Sequence, residues 1–365
     1  MKKFIEKFNS LDKSIKRTIL GGIIVIVLLT FIVIVVGVMN NKKLSYSRLE
    51  QKIKTAAISY YEDYPEKLPH ENGQETKLDS KVLITDGYLK ELSKYSDDAC
   101  VAEVYVMKNN DEYTYIPYLA CQKYKTVSLT SHISNEQEIV TSGDGLYRYN
   151  SEMIYRGENI NNYINFSGKL WRILRIMEEG EIRVIQAKSS TKFNWDDRYN
   201  IDLDNYSGIN NFEVSRMKDW LIETANDADF IQPDLRKWII AKNICLDKKD
   251  SIDFNNLSNI NCLTYSQEKY QFSLISLEEY FIASLDKNCN NIKSESCTNY
   301  NYLATGKYWT ITPSAKSSNK VYTTGGSTTA SQTDKSYNVR IVMNLSKHVL
   351  YGGGDGSREN PYIIK

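Results

Sequence analysis

The residues with the most chemical capacity in this chain are six cysteines, at 100, 121, 245, 262, 289 and 297, and three histidines, at 70, 132 and 348. A structural zinc site needs such residues in ligand-spaced pairs. No Cys-x-x-Cys occurs, and each histidine lies far from any cysteine pair, so no metal is expected. Nucleophilic catalysis finds no frame either: a Ser/His/Asp site would have to draw on His132 or His348, and there is no Gly-x-Ser-x-Gly elbow. Neither Gly-x-Gly-x-x-Gly nor a P-loop is present, so no cofactor is expected. What remains for the cysteines is oxidation. Cys245 and Cys262 bracket a polar loop of sixteen residues, Cys289 and Cys297 one of seven, and both loops lack a core-forming pattern and need a staple. Four cysteines allow three connectivities, and the crossed pairings stay open.

Two further patterns suggest calcium. Gln232-Pro-Asp234 matches a tripeptide by which some calcium-dependent lectins hold galactose, but it reads more simply as Pro233 in the first turn of a helix carrying Leu235, Trp238, Ile239 and Ile240. Asp202, Asp204 and Glu213 have part of an EF-hand's spacing, with Ser207 where that loop needs Gly. Both read as coincidence.

The elements that must hold these residues begin with Ile19 to Met39, twenty-one residues without a charge. As a helix rising about 1.5 Å per residue they cover roughly 30 Å, the thickness of a bilayer's hydrocarbon core. All six cysteines follow this run, and disulfides persist in oxidising compartments. Val36-Gly-Val-Met-Asn40 offers no small-x-small cleavage site. The expectation is a single-pass signal anchor touching membrane lipid through 19–39, with residues 1–18 cytoplasmic and the bulk extracellular. The formal charge of +1 gives no electrostatic case for nucleic acid.

From Leu44 the pattern stays helical, with Leu49, Ile53, Ala56, Ala57 and Tyr60 at three- to four-residue spacing, and the stalk helix ends near Tyr64 before Pro65. Residues 70–76 read as loop, and 81–92 as a short apolar turn with Gly87 at C′. Cys100 to Cys121 reads as a hairpin about Asn110-Asp111, pairing Cys100 with Cys121, Ala102 with Leu119, Val104 with Pro117 and Val106 with Tyr115. That register leaves Glu103, Met107 and Thr114 on the opposite face. An apolar helix running into an amphipathic stalk, then Asp86-Gly-Tyr-Leu-Lys90 and a disulfide-closed strand pair, resembles type IV pilins and pseudopilins over residues 19–125. The pilin processing signal, a Gly before an apolar segment with Glu five residues in, is missing.

A Ser/Thr-rich stretch, 126–142, marks a linker. Beyond it Lys169 to Ala187 reads as two strands around Glu179-Gly180. Ser215 reads as an N-cap for a helix burying Met217, Trp220 and Leu221, and Ser276 with Glu279 as a capping box. The ordered segments Gly143-Asp-Gly-Leu-Tyr147, Leu170-Trp-Arg-Ile-Leu-Arg-Ile-Met177, Ser215-Arg-Met-Lys-Asp-Trp-Leu221, Trp309-Thr-Ile-Thr-Pro313, Tyr337-Asn-Val-Arg-Ile341 and Gly354-Asp-Gly-Ser-Arg-Glu-Asn-Pro361 resemble an extracellular domain common in surface proteins of AT-rich Gram-positive bacteria. That domain is itself similar to the C-type-lectin-like fold of formylglycine-generating enzymes. The resemblance spans 143–365 and departs at Ile341, where the family usually has Pro. It implies an α+β fold with Trp309–Pro313 and Asn338–Ile341 in neighbouring antiparallel strands. The enzymes' reactive cysteine pair near the chain end has no counterpart after Cys297, so no activity is implied.

The whole chain therefore reads as α+β: segment 1–18, transmembrane helix 19–39, stalk and small pilin-like domain 40–125, linker 126–142, and a C-type-lectin-like domain 143–365. The function expected is that of a non-catalytic surface module binding an extracellular ligand (glycan, peptide or envelope polymer). Its contact face would be drawn from Tyr300, Tyr302, Tyr308, Tyr322 and Arg340. The alternatives are a structural subunit of an envelope assembly, packing laterally through 44–64, and a surface hydrolase with a cleft holding His or paired carboxylates.

Overall fold

The computed structural model describes residues 43–365 except 110–111, 190 and 258–261, together with single positions between 12 and 30. The chain divides into two compact units. One comprises Met1–His70, Gln74–Met107 and Tyr115–Lys125; the other comprises Glu71–Gly73, Lys108–Thr114 and Thr126–Lys365.

In the first unit Ser45 is extended and its Oγ accepts the amide of Arg48 at 3.4 Å, so helix α1 (Tyr46–Asp63) starts from its own cap. Lys43 to Ser45 are not helical. This corrects the expectation of one helix running from 19–39 into the stalk. Most of 19–39 lies outside the described residues, and among the described residues no helix is long and apolar enough to cross a membrane. A single N-terminal transmembrane helix is therefore not shown among the described residues. The apolar face of α1 is as read: Leu49, Ile53, Ala56, Ala57 and Tyr60 are buried.

Strand β1 (Glu75–Asp79) pairs antiparallel with β2 (Cys100–Asn109), and β3 (Glu112–Cys121) completes a three-stranded sheet in the order β1-β2-β3. Only Leu78 of β1 is buried, too little alternation to announce a strand in the sequence. The Asp79 carboxylate caps α2 (Ser80–Thr85) by accepting the Lys81 amide at 2.8 Å, and Gly87 follows it at φ +83°.

Cys100 and Cys121 are bonded, with Cα atoms 4.1 Å apart. The expected turn at Asn110-Asp111 lies outside the described residues. Ala102, Val104 and Val106 are buried, as the register required, but so is Met107. On β3 the buried residues are Thr114, Ile116 and then Leu119, so Tyr115 and Pro117 do not share the core face. The inward parity changes across Pro117, whose nitrogen cannot donate to the ladder.

The second unit is built on sheets. A ten-stranded sheet runs in the order β10 (Ile239–Ile240), β18 (Val342–Leu345), β8 (Ile182–Gln186), β7 (Lys169–Ile176), β6 (Tyr163–Phe166), β20 (Tyr362–Ile364), β19 (Tyr351–Gly353). β13 (Phe272–Ser273) joins it at β18, and the hairpin of β4 (Gly145–Tyr149) and β5 (Glu152–Arg156) joins at β7. A five-stranded sheet has the order β16 (Thr329–Gln332), β15 (Lys320–Thr324), β14 (Tyr308–Pro313), β17 (Ser336–Val339), β9 (Thr191–Asn194). A separate ribbon pairs β11 (Lys242–Cys245) with β12 (Tyr265–Tyr270).

Among the described residues three short α-helices complete the unit: α3 (Leu129–Glu136), α4 (Arg216–Asn226) and α5 (Leu277–Ile282). With 33% strand and 25% helix the molecule is mostly β, which corrects the α+β expectation with its membrane-spanning helix. The excess of strand comes from short segments such as Tyr265–Tyr270 and Thr329–Gln332, whose polar residues pair by backbone rather than by an alternating apolar pattern. β14 does neighbour β17, but in parallel, Tyr308 opposite Asn338, so the antiparallel expectation is also corrected.

The core of this unit is aromatic. Trp195 and Trp309 are fully buried with rings 6.0 Å apart, and Trp309 Nε1 donates to the Phe193 carbonyl at 2.8 Å. Ser215 caps α4 and Met217 and Leu221 are buried, while Trp220 is half-buried against Phe193. Pro233 opens a 3-10 turn through Trp238 rather than an α-helix, and Ile239–Ile240 leave it as β10.

Candidate functional site

The tyrosines proposed as a contact face do not form one. Tyr302, Tyr308 and Tyr322 are buried, and only Tyr300 is exposed. Tyr308 donates its hydroxyl to the Leu303 carbonyl at 3.0 Å, and Tyr302 lies over the buried guanidinium of Arg172, 4.5 Å from its ring centroid. Burial pushes the Tyr302 and Tyr308 hydroxyls above the usual tyrosine range. Arg340 is 1% exposed. It donates to the carbonyls of Gln186, Leu303 and Ala187 and to Thr305 Oγ1, binding the end of β8 to the 303–305 turn. Tyr302, Tyr308 and Arg340 are structural because their polar tips meet backbone carbonyls inside the core. Polar aromatic composition alone does not separate a paratope-like surface from strands whose hydroxyls turn inward.

A cleft of about 430 Å³ elsewhere in the second unit is lined by eight charged side chains. Its floor is set by strand register. Ile173 opposes Val184 but Arg175 opposes Arg183, so Leu174 is an extra residue in β7 and the ladder is bulged there. Arg183 in turn opposes Asn344 on β18 and donates to its Oδ1 at 3.3 Å. Two guanidiniums side by side repel unless an anion stands between them.

That anion is Glu279, in the first turn of α5. Its Oε1 accepts from Arg183 Nε at 2.5 Å and lies 3.8 Å from Arg175 Nε, while its Oε2 accepts the Ser276 amide at 3.0 Å. The expected capping box is complete, and its glutamate also neutralises the two arginines. Burial pushes the Glu279 carboxyl upward. Arg183 and Arg175 outweigh that and hold it below the usual carboxylate range, so it is an anion at neutral pH. Thr312 Oγ1 accepts the Leu277 amide at 3.1 Å and fixes the start of α5 to β14.

Arg175 is 6% exposed and donates Nη1 to Glu152 at 2.8 Å, but its Nη2 has no hydrogen-bond partner. That Nη2 is covered, and as an unmet donor in a residue that lines the cleft it favours an anionic acceptor there. At the rim, Lys249 lies 3.6 Å from Asp247 and 3.7 Å from Glu278. One wall is the β11–β12 ribbon, with Tyr265 and Tyr270. Its ends are stapled by the Cys245–Cys262 disulfide; Cys289–Cys297 is the third bond, so the uncrossed pairing is the one formed.

The cleft lining contains no histidine. His132 instead lies flat on Tyr351, with ring centroids 3.6 Å apart, in a second cleft of about 520 Å³. There the Asp144 carboxylate accepts the amides of Glu158 and Asn159, and Asp355 that of Ser357, so both serve as turn caps. Among the described residues, one group of metal-ligand type comes within 4.8 Å: Cys245, Asp247 and Cys262. Its two sulfurs are spent in the disulfide. Asp202, Asp204 and Glu213 are not brought together.

The sequence did carry a sign of this cleft. Arg175 interrupts an apolar stretch of β7, and a buried arginine calls for partners. Comparison with protein-family models, curated proteins and solved structures finds no match.

Proposed function

We propose that this is an extracytoplasmic, non-catalytic binding protein that takes a small carboxylate-bearing ligand into the cleft above Arg175. The observation that carries the reading is the unpartnered Nη2 of a guanidinium that is 6% exposed. Lys242 and Lys249 stand around the same opening, Glu152 and Glu278 accept donors from the ligand's remaining groups, and Tyr265 offers a ring face at the rim. The cleft's own charges balance, four basic against four acidic, which suits a polar or zwitterionic ligand better than a polyanion. All six cysteines are in disulfides, which supports an oxidising compartment. The hydrolase alternative loses ground because Glu279 is held ionised, away from the range of a neutral-pH acid or base. Lateral packing through 44–64 loses ground because the exposed positions of α1 include Arg48, Gln51, Lys52 and Thr55 and no large apolar residue.

The test titrates the full chain with glucuronate and N-acetylglycinate, and with their methyl esters, by calorimetry. The acids should bind and the esters should not. Arg175→Met should abolish the difference, and Tyr265→Ser at the exposed rim should weaken binding without changing the thermal midpoint. Equal binding of acid and ester, or none by either, would sink the proposal.

A further inference from the structure

The loop 199–206 carries an exposed apolar tip that packing inside its own unit does not explain. Ile201 is 79% and Tyr206 77% exposed, with Tyr199 and Leu203 close to half. The tip is nonetheless held in place. Asn200, with no exposed surface, donates its Nδ2 to the Gly208 carbonyl at 2.6 Å and accepts the Asp202 amide at 3.0 Å. Its backbone amide pairs with the Asn205 carbonyl at 2.7 Å. Gly208 closes the loop at φ +71°, where a Cβ would fall 1.9 Å from the Asp196 carbonyl oxygen. An ordered apolar tip pays little conformational entropy on docking.

The same unit has an apolar groove between α4 and β12, of about 390 Å³. Leu221, Ala225 and Phe272 form its buried floor, and Ile222 stands 42% exposed at its edge. Lys218, which also pairs with Asp219 at 2.8 Å, and Lys269 lie on its rim with the acid Glu268. The loop tip carries Asp202 and Asp204, both exposed, and no basic residue between 199 and 206.

We infer that the 199–206 loop of one molecule seats in the α4–β12 groove of a second copy, Ile201 and Leu203 entering it while Asp202 and Asp204 meet Lys218 and Lys269. The signs of charge match, apolar meets apolar, and a patch complementary to a pocket elsewhere on the same molecule leads to self-association. A lipid bilayer suits the tip less well, because two carboxylates would have to approach anionic headgroups. A contact of this small extent makes a weak, concentration-dependent association.

The test uses the full chain, kept in detergent because of the apolar run 19–39. Leu203→Cys and Ile222→Cys chains are mixed under mild oxidation. A disulfide-linked heterodimer should form, and should not form when Thr55→Cys on α1 replaces Ile222→Cys. Ile201→Asp with Leu203→Asp should weaken association about tenfold by sedimentation with the thermal midpoint unchanged. Asp202→Lys should weaken it as well, and Lys269→Glu on the partner copy should restore it. Equal crosslinking to Thr55→Cys, or failure of the charge exchange to restore association, would overturn the proposal. So would loss of binding to phosphatidylglycerol vesicles in the aspartate variant with self-association intact.

Discussion

Arg175 and Arg183 oppose each other across the β7–β8 ladder, and the Glu279 carboxylate reaches between them from the start of α5. A strand pair, a helix cap and the floor of the cleft thus depend on one anion. A buried ion network of this kind adds little when intact compared with an apolar core, but breaking it exposes the desolvation cost of every charge left behind.

Glu279→Gln tests that dependence. The amide keeps the size of the side chain but leaves the buried Arg175 and the part-buried Arg183 facing each other, and the expected loss of stability is roughly 3–5 kcal/mol. Urea denaturation of the variant against the parent measures it. A loss below about 1 kcal/mol would mean that the arginines are satisfied without the carboxylate.

The same group sets an acid limit. The folded-state pKa of Glu279 is depressed, so its contribution is fully present above the unfolded glutamate value of about 4.3 and is lost as pH falls through the lower folded value. The parent should therefore lose stability below about pH 4.3 more steeply than Glu279→Gln, the two curves converging at low pH. Denaturation midpoints measured across this window decide it, and parallel curves would contradict the assignment.

The Cys245–Cys262 bond closes the ribbon that walls the cleft, with a sequence separation of 17. Replacing both cysteines by serine should cost about 3 kcal/mol through the unfolded chain's regained freedom. Glucuronate binding should fall as well, since β11 and β12 are otherwise held to each other by a short, irregular ladder. Retained stability with retained binding would show that the staple is dispensable to both.

Gly208→Ala should destabilise by about 1–3 kcal/mol, because alanine is strained at positive φ and its Cβ would meet backbone that cannot swing away. The thermal midpoint reads the strain. The Leu203→Cys crosslink should also weaken, as the loop loses its closing turn.

Local chemistry was readable from the sequence wherever the signal and its cause lie within a few residues. The caps at Ser215 and Ser276, the turn at Glu179-Gly180 and the apolar face of α1 are short-range, set by side chains bonding nearby amides or by helical spacing, and the Cys100–Cys121 pair, 21 residues apart, follows from two strands adjacent in sequence. Beyond the arginine at 175 the cleft was not readable, because Arg183, Glu279 and Lys249 belong to separate elements, and one bulged residue in β7 decides which guanidinium faces which. The tyrosines misled for the same reason. Whether a Tyr or Arg side chain turns to solvent or to a backbone carbonyl depends on what packs over it, and only the assembled sheets put Leu303 and Gln186 within reach of Tyr308 and Arg340. The parallel placement of β14 against β17 is likewise a product of tertiary structure, since no residue in either strand encodes the direction of its neighbour.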